Sequence, residues 1–312
     1  MNKYVLVTGA CGQIGSELVI GLKAKGYSVI ATDLRKPEEP LEGADEFEVS
    51  DVLDAVQLSE IVSKYKPMQI YHLAALLSAV GEKNPDLAWE VNMKGLKNIL
   101  DVAVQHHISK VFYPSTIAIF GPNSPRQNTP QFTVTEPTTI YGISKLAGER
   151  WCAYYYQKYG LDVRSLRYPG LISYKTRAGG GTTDYAVDIF FDAVAKGTYS
   201  SFLTESTYLP MMYMPDAIRG TIELMEANAE CLSQRSGYNF SAMSFSPKEI
   251  AREIKKHLPD FSIEYAPDFR QAIADSWPAS IDDSLAQKDW GWKAQYDLAA
   301  MTQDMLVNIK YN

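Results

Sequence analysis

Short apolar runs alternate with longer amphipathic stretches through the first half of the chain. Tyr4-Val5-Leu6-Val7 leads into a glycine-rich segment, Thr8 to Gly15, and then into a helical pattern reaching about Lys25. Ser28 to Thr32, Phe47-Glu48-Val49, Gln69 to Leu73, Val111-Phe112-Tyr113 and Leu161 to Tyr168 repeat the apolar run, with helical patterns over 55–65, from Pro85 to about Gln105 and from Tyr141 to about Tyr159. Runs this short suit strands buried on both faces, and regular β-α alternation predicts an α/β fold, a doubly wound parallel sheet of the Rossmann type. Residues 76–84 and the proline- and asparagine-rich 121–138 are expected as loops. Beyond residue 170 the pattern is less regular. Gly179-Gly180-Gly181 ahead of Thr182-Thr183-Asp184-Tyr185 predicts a mobile loop followed by a helix capped by Thr182 or Thr183, and Ser246-Pro247-Lys248-Glu249 predicts another helix start. The expected division is a first domain over 1–170, also receiving strands near 207–213 and 237–241, and a smaller region over 171–312.

Composition narrows the function. The chain has 312 residues, is 46% hydrophobic and carries a formal net charge of -7. An acidic balance argues against a nucleic-acid partner, which calls for a basic face. Cys11, Cys152 and Cys231 are scattered and form no metal- or disulfide-type motif, and His72, His106, His107 and His257 lack metal-ligand spacing, so no metal is expected and the thiols suit a reducing, cytoplasmic setting. No segment is long and apolar enough to predict a membrane span.

The candidate chemistry begins at the first strand. Gly9 permits a tight turn, Gly12 lets a pyrophosphate approach the backbone and Gly15 lets the helix pack on the strand, while the helix N-terminus offers free amides to phosphate. Asp33 stands eighteen residues after Gly15, at the end of the second strand. A carboxylate there accepts from both adenosine ribose hydroxyls and repels a 2′-phosphate, which favours NAD over NADP, although Arg35 nearby suits that phosphate. Asp51 and Val52 are candidates to meet adenine, with Asp51 equally readable as a helix cap. Ala74 and Ala75 leave room for a cofactor, and His72 is expected to be a core residue. Ser78 faces substrate or is a plain loop hydroxyl. Asn92, a polar residue inside a buried helix, needs partners, either a neighbouring strand or a water. Tyr141 and Lys145 lie one turn apart on one helix face, and a cation there is expected to lower the phenol pKa so that Tyr141 serves as a general base. Pro114-Ser115-Thr116 ends the strand before it and offers a hydroxyl to a reacting oxygen. Trp151, Tyr154, Tyr155, Tyr156 and Tyr159 either pack on the sheet or form a subunit interface.

Taken together, these segments resemble the extended short-chain dehydrogenase/reductases. Thr8 to Gly15 matches T-G-A-x-G-x-I-G, and Leu73-Ala74-Ala75, Asn92, Ser115-Thr116 and Tyr141/Lys145 follow in the family's order. Within it the chain is similar to the short-chain L-threonine 3-dehydrogenases, through Arg167 to Ser173, Gly179 to Tyr185, Leu209 to Met214 with Asp216, Tyr238-Asn239, Trp277-Pro278 and the run ending at Trp292. The resemblance implies NAD held by Gly9, Gly12, Gln13, Ile14 and Gly15, by Asp33, Asp51 and Val52, by Leu73, Ala74, Ala75 and Asn92, and by Tyr141, Lys145 and Tyr168. It implies oxidation of L-threonine at C3 to 2-amino-3-oxobutanoate, with Tyr141 as base, Lys145 assisting and Thr116 orienting the oxygen. Ser78, Thr182 and Thr183 would hold the carboxylate and amine, and Trp277 would wall the methyl. It also implies a homodimer through the helices near 85–105 and 141–159. Many relatives carry Ser-Ser where this chain has Ser115-Thr116, which leaves open which hydroxyl holds the reacting oxygen. A sugar-nucleotide 4-epimerase or dehydratase, and a non-catalytic NAD sensor, are the competing readings.

Overall fold

The computed structural model describes residues 3–311 apart from 176, 178 and 180. In chain order the first elements are β1 (Tyr4–Thr8), α1 (Gln13–Ala24), β2 (Ser28–Asp33), β3 (Glu46–Val49), α2 (Ala55–Tyr65), β4 (Gln69–His72), α3 (Ser78–Lys83) and α4 (Pro85–Trp89). A π-helical segment, Glu90–Lys94, runs into α5 (Gly95–Gln105), followed by β5 (Lys110–Thr116), α6 (Ile140–Tyr159) and β6 (Asp162–Tyr168). Then come β7 (Gly170–Ile172), α7 (Tyr185–Lys196), β8 (Thr198–Ser201), β9 (Leu209–Tyr213), α8 (Met214–Glu226), β10 (Tyr238–Asn239) and β11 (Met243–Phe245). The chain ends with α9 (Pro247–His257), β12 (Ser262–Tyr265), α10 (Arg270–Ser276), α11 (Ser284–Trp290) and α12 (Leu298–Tyr311).

Two compact units divide the chain. The first holds Met1–Ile119, Pro137–Arg167 and Ile218–Tyr238; the second holds Phe120–Glu136, Tyr168–Ala217 and Asn239–Asn312. The division thus differs from a single break near 170: segments 120–136 and 218–238 each belong with the other half of the sequence.

The first unit is built on a seven-stranded parallel sheet in the order β10-β6-β5-β4-β1-β2-β3, flanked by helices. From β1 the chain steps outward to β2 and β3, then returns to lay β4 on the other side of β1, with Val5 opposite both Val29 and Gln69. That reversal is a topological switch point, where the carboxyl ends of neighbouring strands diverge and open a crevice. Strands β1, β2, β4 and β5 are apolar on both faces because helices cover both, and Leu6, Ile30, Ile70 and Val111 pack with Leu58, Leu96, Ile99 and Cys152 in one core. The helix expected from Pro85 to Gln105 is present as one run, but it widens into the π segment at Asn92. The loop expected over 76–84 contains the short helix α3.

The second unit has a three-stranded sheet, β11-β9-β7, and a two-stranded one, β12-β8. The strand expected near 207–213 to join the main sheet is β9, and it lies here instead, parallel to β7 and antiparallel to β11. Every residue of β9 is buried, so its sequence announces a central strand without naming a partner. The start of α9 follows its local signal. Ser246 accepts from the Glu249 amide, Glu249 accepts from the Ser246 amide, and Pro247 occupies the first turn.

Candidate active site

The first unit gathers its chemistry at the carboxyl ends of β1, β2, β4 and β5. Gly9 has φ +68°, and a Cβ there would stand 2.6 Å from the Ala74 nitrogen, so the turn after β1 lies directly against the segment after β4. A Cβ on Gly15 would stand 2.2 Å from the Gly9 carbonyl oxygen. The first turn of α1 can therefore close on the loop only with glycine at that position. Gly12 is the N-cap of α1 and brings no capping side chain, which leaves the first amides of the helix for an anion. Asp33 sits beside this turn: one carboxylate oxygen accepts the Cys11 amide at 3.0 Å and the other the Leu34 amide at 2.8 Å. This cradle fits the pyrophosphate and ribose of a dinucleotide. Asp51 does not cap α2; Asp54 does, accepting from Val56 and Gln57, and Asp51 turns its carboxylate to the Leu53 amide. Val52 is buried against Gly95, where a Cβ would stand 2.9 Å from its side chain.

His72 is a core residue. Its Nδ1 pairs with the Thr8 hydroxyl at 2.9 Å, and burial, aided by the Lys145 charge, pushes it down to about 3. It stays neutral and takes no acid–base part at physiological pH.

Asn92 gains its partners through the π segment. Its Oδ1 accepts the Leu76 amide at 2.8 Å, and its Nδ2 donates to the Leu76 carbonyl at 3.1 Å and to the Ser144 hydroxyl at 3.1 Å. Ser144 in turn donates to the Tyr141 carbonyl at 2.8 Å. The amide thus ties the loop after β4 to the first turn of α6, and no water is required. The widened turn is what presents this side chain at such a junction. α6 itself is capped twice: Thr139 accepts the Gly142 amide at 3.1 Å, and Glu82 of α3 accepts the Ile140 amide at 2.8 Å. α3 begins at Ser78, which is partly buried, so this short helix connects a candidate substrate hydroxyl to the start of the tyrosine helix.

The Thr116 hydroxyl stands close enough to the Tyr141 phenol to lower its pKa. Lys145 is buried, donates to the Pro114 carbonyl at 2.9 Å, and lies 4.8 Å from the Tyr113 ring centroid and 5.6 Å from that of Tyr141. Ser115 is committed elsewhere: its hydroxyl donates to Glu149 at 2.6 Å in a buried position. Of the two hydroxyls, Thr116 is the one that meets the tyrosine. The electrostatics correct the expectation of an acidic phenol. Burial pushes Tyr141 up to about 12 while the nearby Thr116 hydroxyl pulls it back, and Lys145 contributes no lowering. Burial pushes Lys145 itself down to about 7. Burial that weakens the ammonium also weakens its pull on the phenol, so the helical spacing alone does not activate the tyrosine.

Within the second unit, Tyr168 ends β6 and packs edge-on against Phe240, centroids 5.8 Å apart. Thr182 is buried, and a Cβ on Gly170 would meet the Thr183 side chain at 2.7 Å. Neither threonine caps α7 through its side chain. Asp184 stands at the N-cap without a side-chain bond into the helix, and it accepts the Gly181 amide at 2.6 Å. Of the expected mobile loop, Thr176, Ala178 and Gly180 lie outside the described residues. Trp277 is buried at the end of α10. Asp216 is fully buried and accepts the amides of Gln295 and Tyr296 at 2.9 and 3.0 Å, which fixes the chain leading into α12. Sequence reasoning gave no role to Glu149, Arg167, Glu82 or Ser144. For Glu149 and Ser144 a signal existed, since they share the helix of Tyr141, but no motif marked them. Among the described residues no cluster of His, Cys, Asp or Glu is arranged to hold a metal, and no helix is long and apolar enough to cross a membrane.

A parallel sheet with a glycine turn after its first strand, an acid ending its second, and a threonine, tyrosine and lysine at β5 and α6 defines an NAD-dependent oxidoreductase of the extended short-chain dehydrogenase/reductase type. Residues 5–239 match the NAD dependent epimerase/dehydratase family, and the chain belongs to it. A curated relative from Staphylococcus haemolyticus, described as an uncharacterized epimerase/dehydratase, is 50% identical over 98% of this chain and 97% of its own. The holo structure of a GalE-like L-threonine dehydrogenase from Cupriavidus necator is 54% identical, with TM-score 0.95, covering 98% of this chain and 99% of that one. A monomeric L-threonine 3-dehydrogenase from a metagenome is 49% identical, with TM-score 0.94 and coverage of 98% and 99%.

Proposed function

We propose that this protein oxidises L-threonine at C3 to 2-amino-3-oxobutanoate. The observation that carries the reaction type is the Thr116 hydroxyl beside the Tyr141 phenol at the end of β5, with the buried Lys145 one helical turn on. The similarity to L-threonine dehydrogenases over nearly the whole chain supports the substrate. NAD+, when bound, supplies the hydride acceptor and a cationic ring. The glycine turn and α1 amides would hold its pyrophosphate, Asp33 its adenosine ribose, Asp51 and Val52 its adenine, and Lys145 and Tyr168 its nicotinamide end. Tyr141 takes the C3 hydroxyl proton as the hydride leaves C3, and Thr116 holds the same oxygen, so the carbon is oxidised from alcohol to ketone. Asn92 keeps Tyr141 in place through Ser144 and Leu76. Ser78, Thr182 and Thr183 bind the carboxylate and amine, and Trp277 borders the methyl. Three free thiols, Cys11, Cys152 and Cys231, suit a reducing cytoplasm.

The test is NADH formation with NAD+ and a panel of L-threonine, D-threonine, L-allo-threonine, L-serine and UDP-sugars, with Tyr141→Phe alongside. The expected result is turnover of L-threonine that falls by about 10²- to 10⁴-fold in the variant while NADH binding persists. Conversion of a UDP-sugar with threonine left untouched would transfer the site to epimerase or dehydratase chemistry. Dinucleotide binding with no alcohol oxidised would make the chain a sensor.

A further inference from the structure

Three successive residues at the end of β5 are held from one face of α6. Tyr141, Lys145 and Glu149 stand four residues apart, so their side chains line up along the helix. Tyr141 stands beside the Thr116 hydroxyl, Lys145 donates to the Pro114 carbonyl at 2.9 Å, and Glu149 accepts from Ser115 at 2.6 Å. The first two contacts belong to the chemistry already described. The third has no role yet, although it is the most deeply enclosed of the three.

Glu149 is 0% exposed, and Arg167 on β6 clasps it, with Nε 2.9 Å from one oxygen and Nη2 2.9 Å from the other. A planar guanidinium on both carboxylate oxygens fixes the carboxylate in position as well as in charge. Backbone closes the remaining space: a Cβ on Gly237 would stand 2.4 Å from the same Glu149 oxygen that Ser115 bonds. Ser115 is therefore tied to a group that cannot move. Thr116 is the next residue, at the point where β5 gives way to the turn Ile117–Ile119, and its own hydroxyl accepts the Ala118 amide at 3.2 Å. Side chains alternate along a strand, so the rotation of Ser115 sets that of Thr116.

We propose that Glu149 is a positioning residue of the reaction: by holding Ser115 on one side and Arg167 on the other, it fixes the end of β5 and so sets where the Thr116 hydroxyl meets Tyr141 and the substrate oxygen. The inference rests on the reading of Tyr141 as base and Thr116 as oxygen holder. It also explains why a serine precedes the threonine here. The serine orients the strand, and the threonine takes the chemistry.

Ser115→Ala removes this one link and leaves the Glu149–Arg167 pair in place; Ser115→Thr keeps the hydroxyl. The measurement is kcat and KM for L-threonine across pH in the wild type and both variants, with melting temperature and NADH affinity. Beside these, the midpoint of Tyr141 ionisation in the NAD+ complex is taken from the tyrosinate difference against Tyr141→Phe. The expected outcome for Ser115→Ala is kcat lower by about tenfold, with KM for NAD+ within about twofold. Its ionisation midpoint moves to higher pH, and Ser115→Thr recovers most of the rate. Wild-type kcat with an unshifted midpoint in Ser115→Ala overturns the proposal. A loss that merely tracks a lower melting temperature or lost NADH binding also overturns it, because a structural contact would do the same. The ionisation midpoint needs no substrate. A wild-type chain inert toward threonine would defeat the functional reading, while the midpoint in Ser115→Ala would still decide this one.

Discussion

Thr116 and Ser115 are adjacent hydroxyls with different partners, and the difference predicts a pH effect. The nearby Thr116 hydroxyl is the influence that lowers Tyr141 against the upward push of burial. Thr116→Ala removes it, so the phenol pKa rises and, with the midpoint already above this range, threonine oxidation is expected to be slower at every pH between about 7 and 10 while still rising with pH, measured from kcat/KM. Asp33 carries a second prediction. Asp33→Asn keeps one oxygen to accept from the Cys11 or the Leu34 amide, turns the other into a donor and removes the charge that repels a 2′-phosphate; the expected result is weaker NAD+ binding and a narrower NAD+/NADP+ ratio by about tenfold, read from kcat/KM for each cofactor. The grouping of the glycines, the α1 amides and Asp33 around one turn was legible because each follows from position after a strand. The acid–base end was legible in its residues and not in its electrostatics. Spacing places Lys145 near Tyr141, whereas how far burial neutralises that lysine depends on the core packed around it.

At the scale of elements, α6 is the piece on which most of the site depends. Its first turn passes so close to the segment after β5 that a Cβ on Gly142 would stand 2.2 Å from the Ala118 carbonyl oxygen. Backbone cannot yield there, so Gly142→Ala is expected to push the tyrosine turn off Thr116 and abolish turnover, with a clear fall in melting temperature by differential scanning calorimetry. Glu149 and Arg167 form a buried pair, and Arg167→Met leaves the carboxylate buried without its cation, at a cost of about 3–5 kcal/mol by denaturant unfolding of the first unit. Neither partner is near the other in sequence. This is also why sequence placed some elements and not others. The start of α9 was readable because Ser246 and Glu249 satisfy each other within four residues, and the sheet order of β1, β2 and β4 follows from β-α alternation. β9 was assigned to the wrong sheet because its partners, Gly170–Ile172 and Met243–Phe245, are some thirty to forty residues away, and a run buried on both faces is compatible with either sheet. The π segment escaped because Asn92 fits a regular helical pattern; the bonds that widen the turn reach Leu76 and Ser144, which periodicity does not report.

The whole molecule adds two properties that no single element sets. Leu87 and Trp89 on α4 and Ile143, Tyr154, Tyr156 and Tyr159 on α6 are 40–47% exposed, on helices that pack beside each other in the first unit. Apolar and aromatic side chains left in water on neighbouring helices suit a second copy of the chain, so light scattering after size exclusion is expected to give twice the chain mass and Trp89→Asp with Tyr154→Asp the chain mass itself. A structural relative described as monomeric makes this a real choice between two states. The second property is sensitivity to acid. His72 is buried with a pKa of about 3, below its ordinary 6.5, so the unfolded chain binds a proton that the folded chain refuses as pH falls from about 6.5 toward 3. Stability contributed by the neutral imidazole is present above 6.5 and is lost across that window, at up to about 1.4 kcal/mol per pH unit. His72→Gln removes the proton and keeps a polar group for the Thr8 hydroxyl. The variant is expected to lose stability less steeply between pH 6 and 4 than the wild type, by close to one proton in the slope of unfolding free energy against pH. Identical slopes would mean that His72 is protonated in the folded protein and that the strand ends beneath the site admit water.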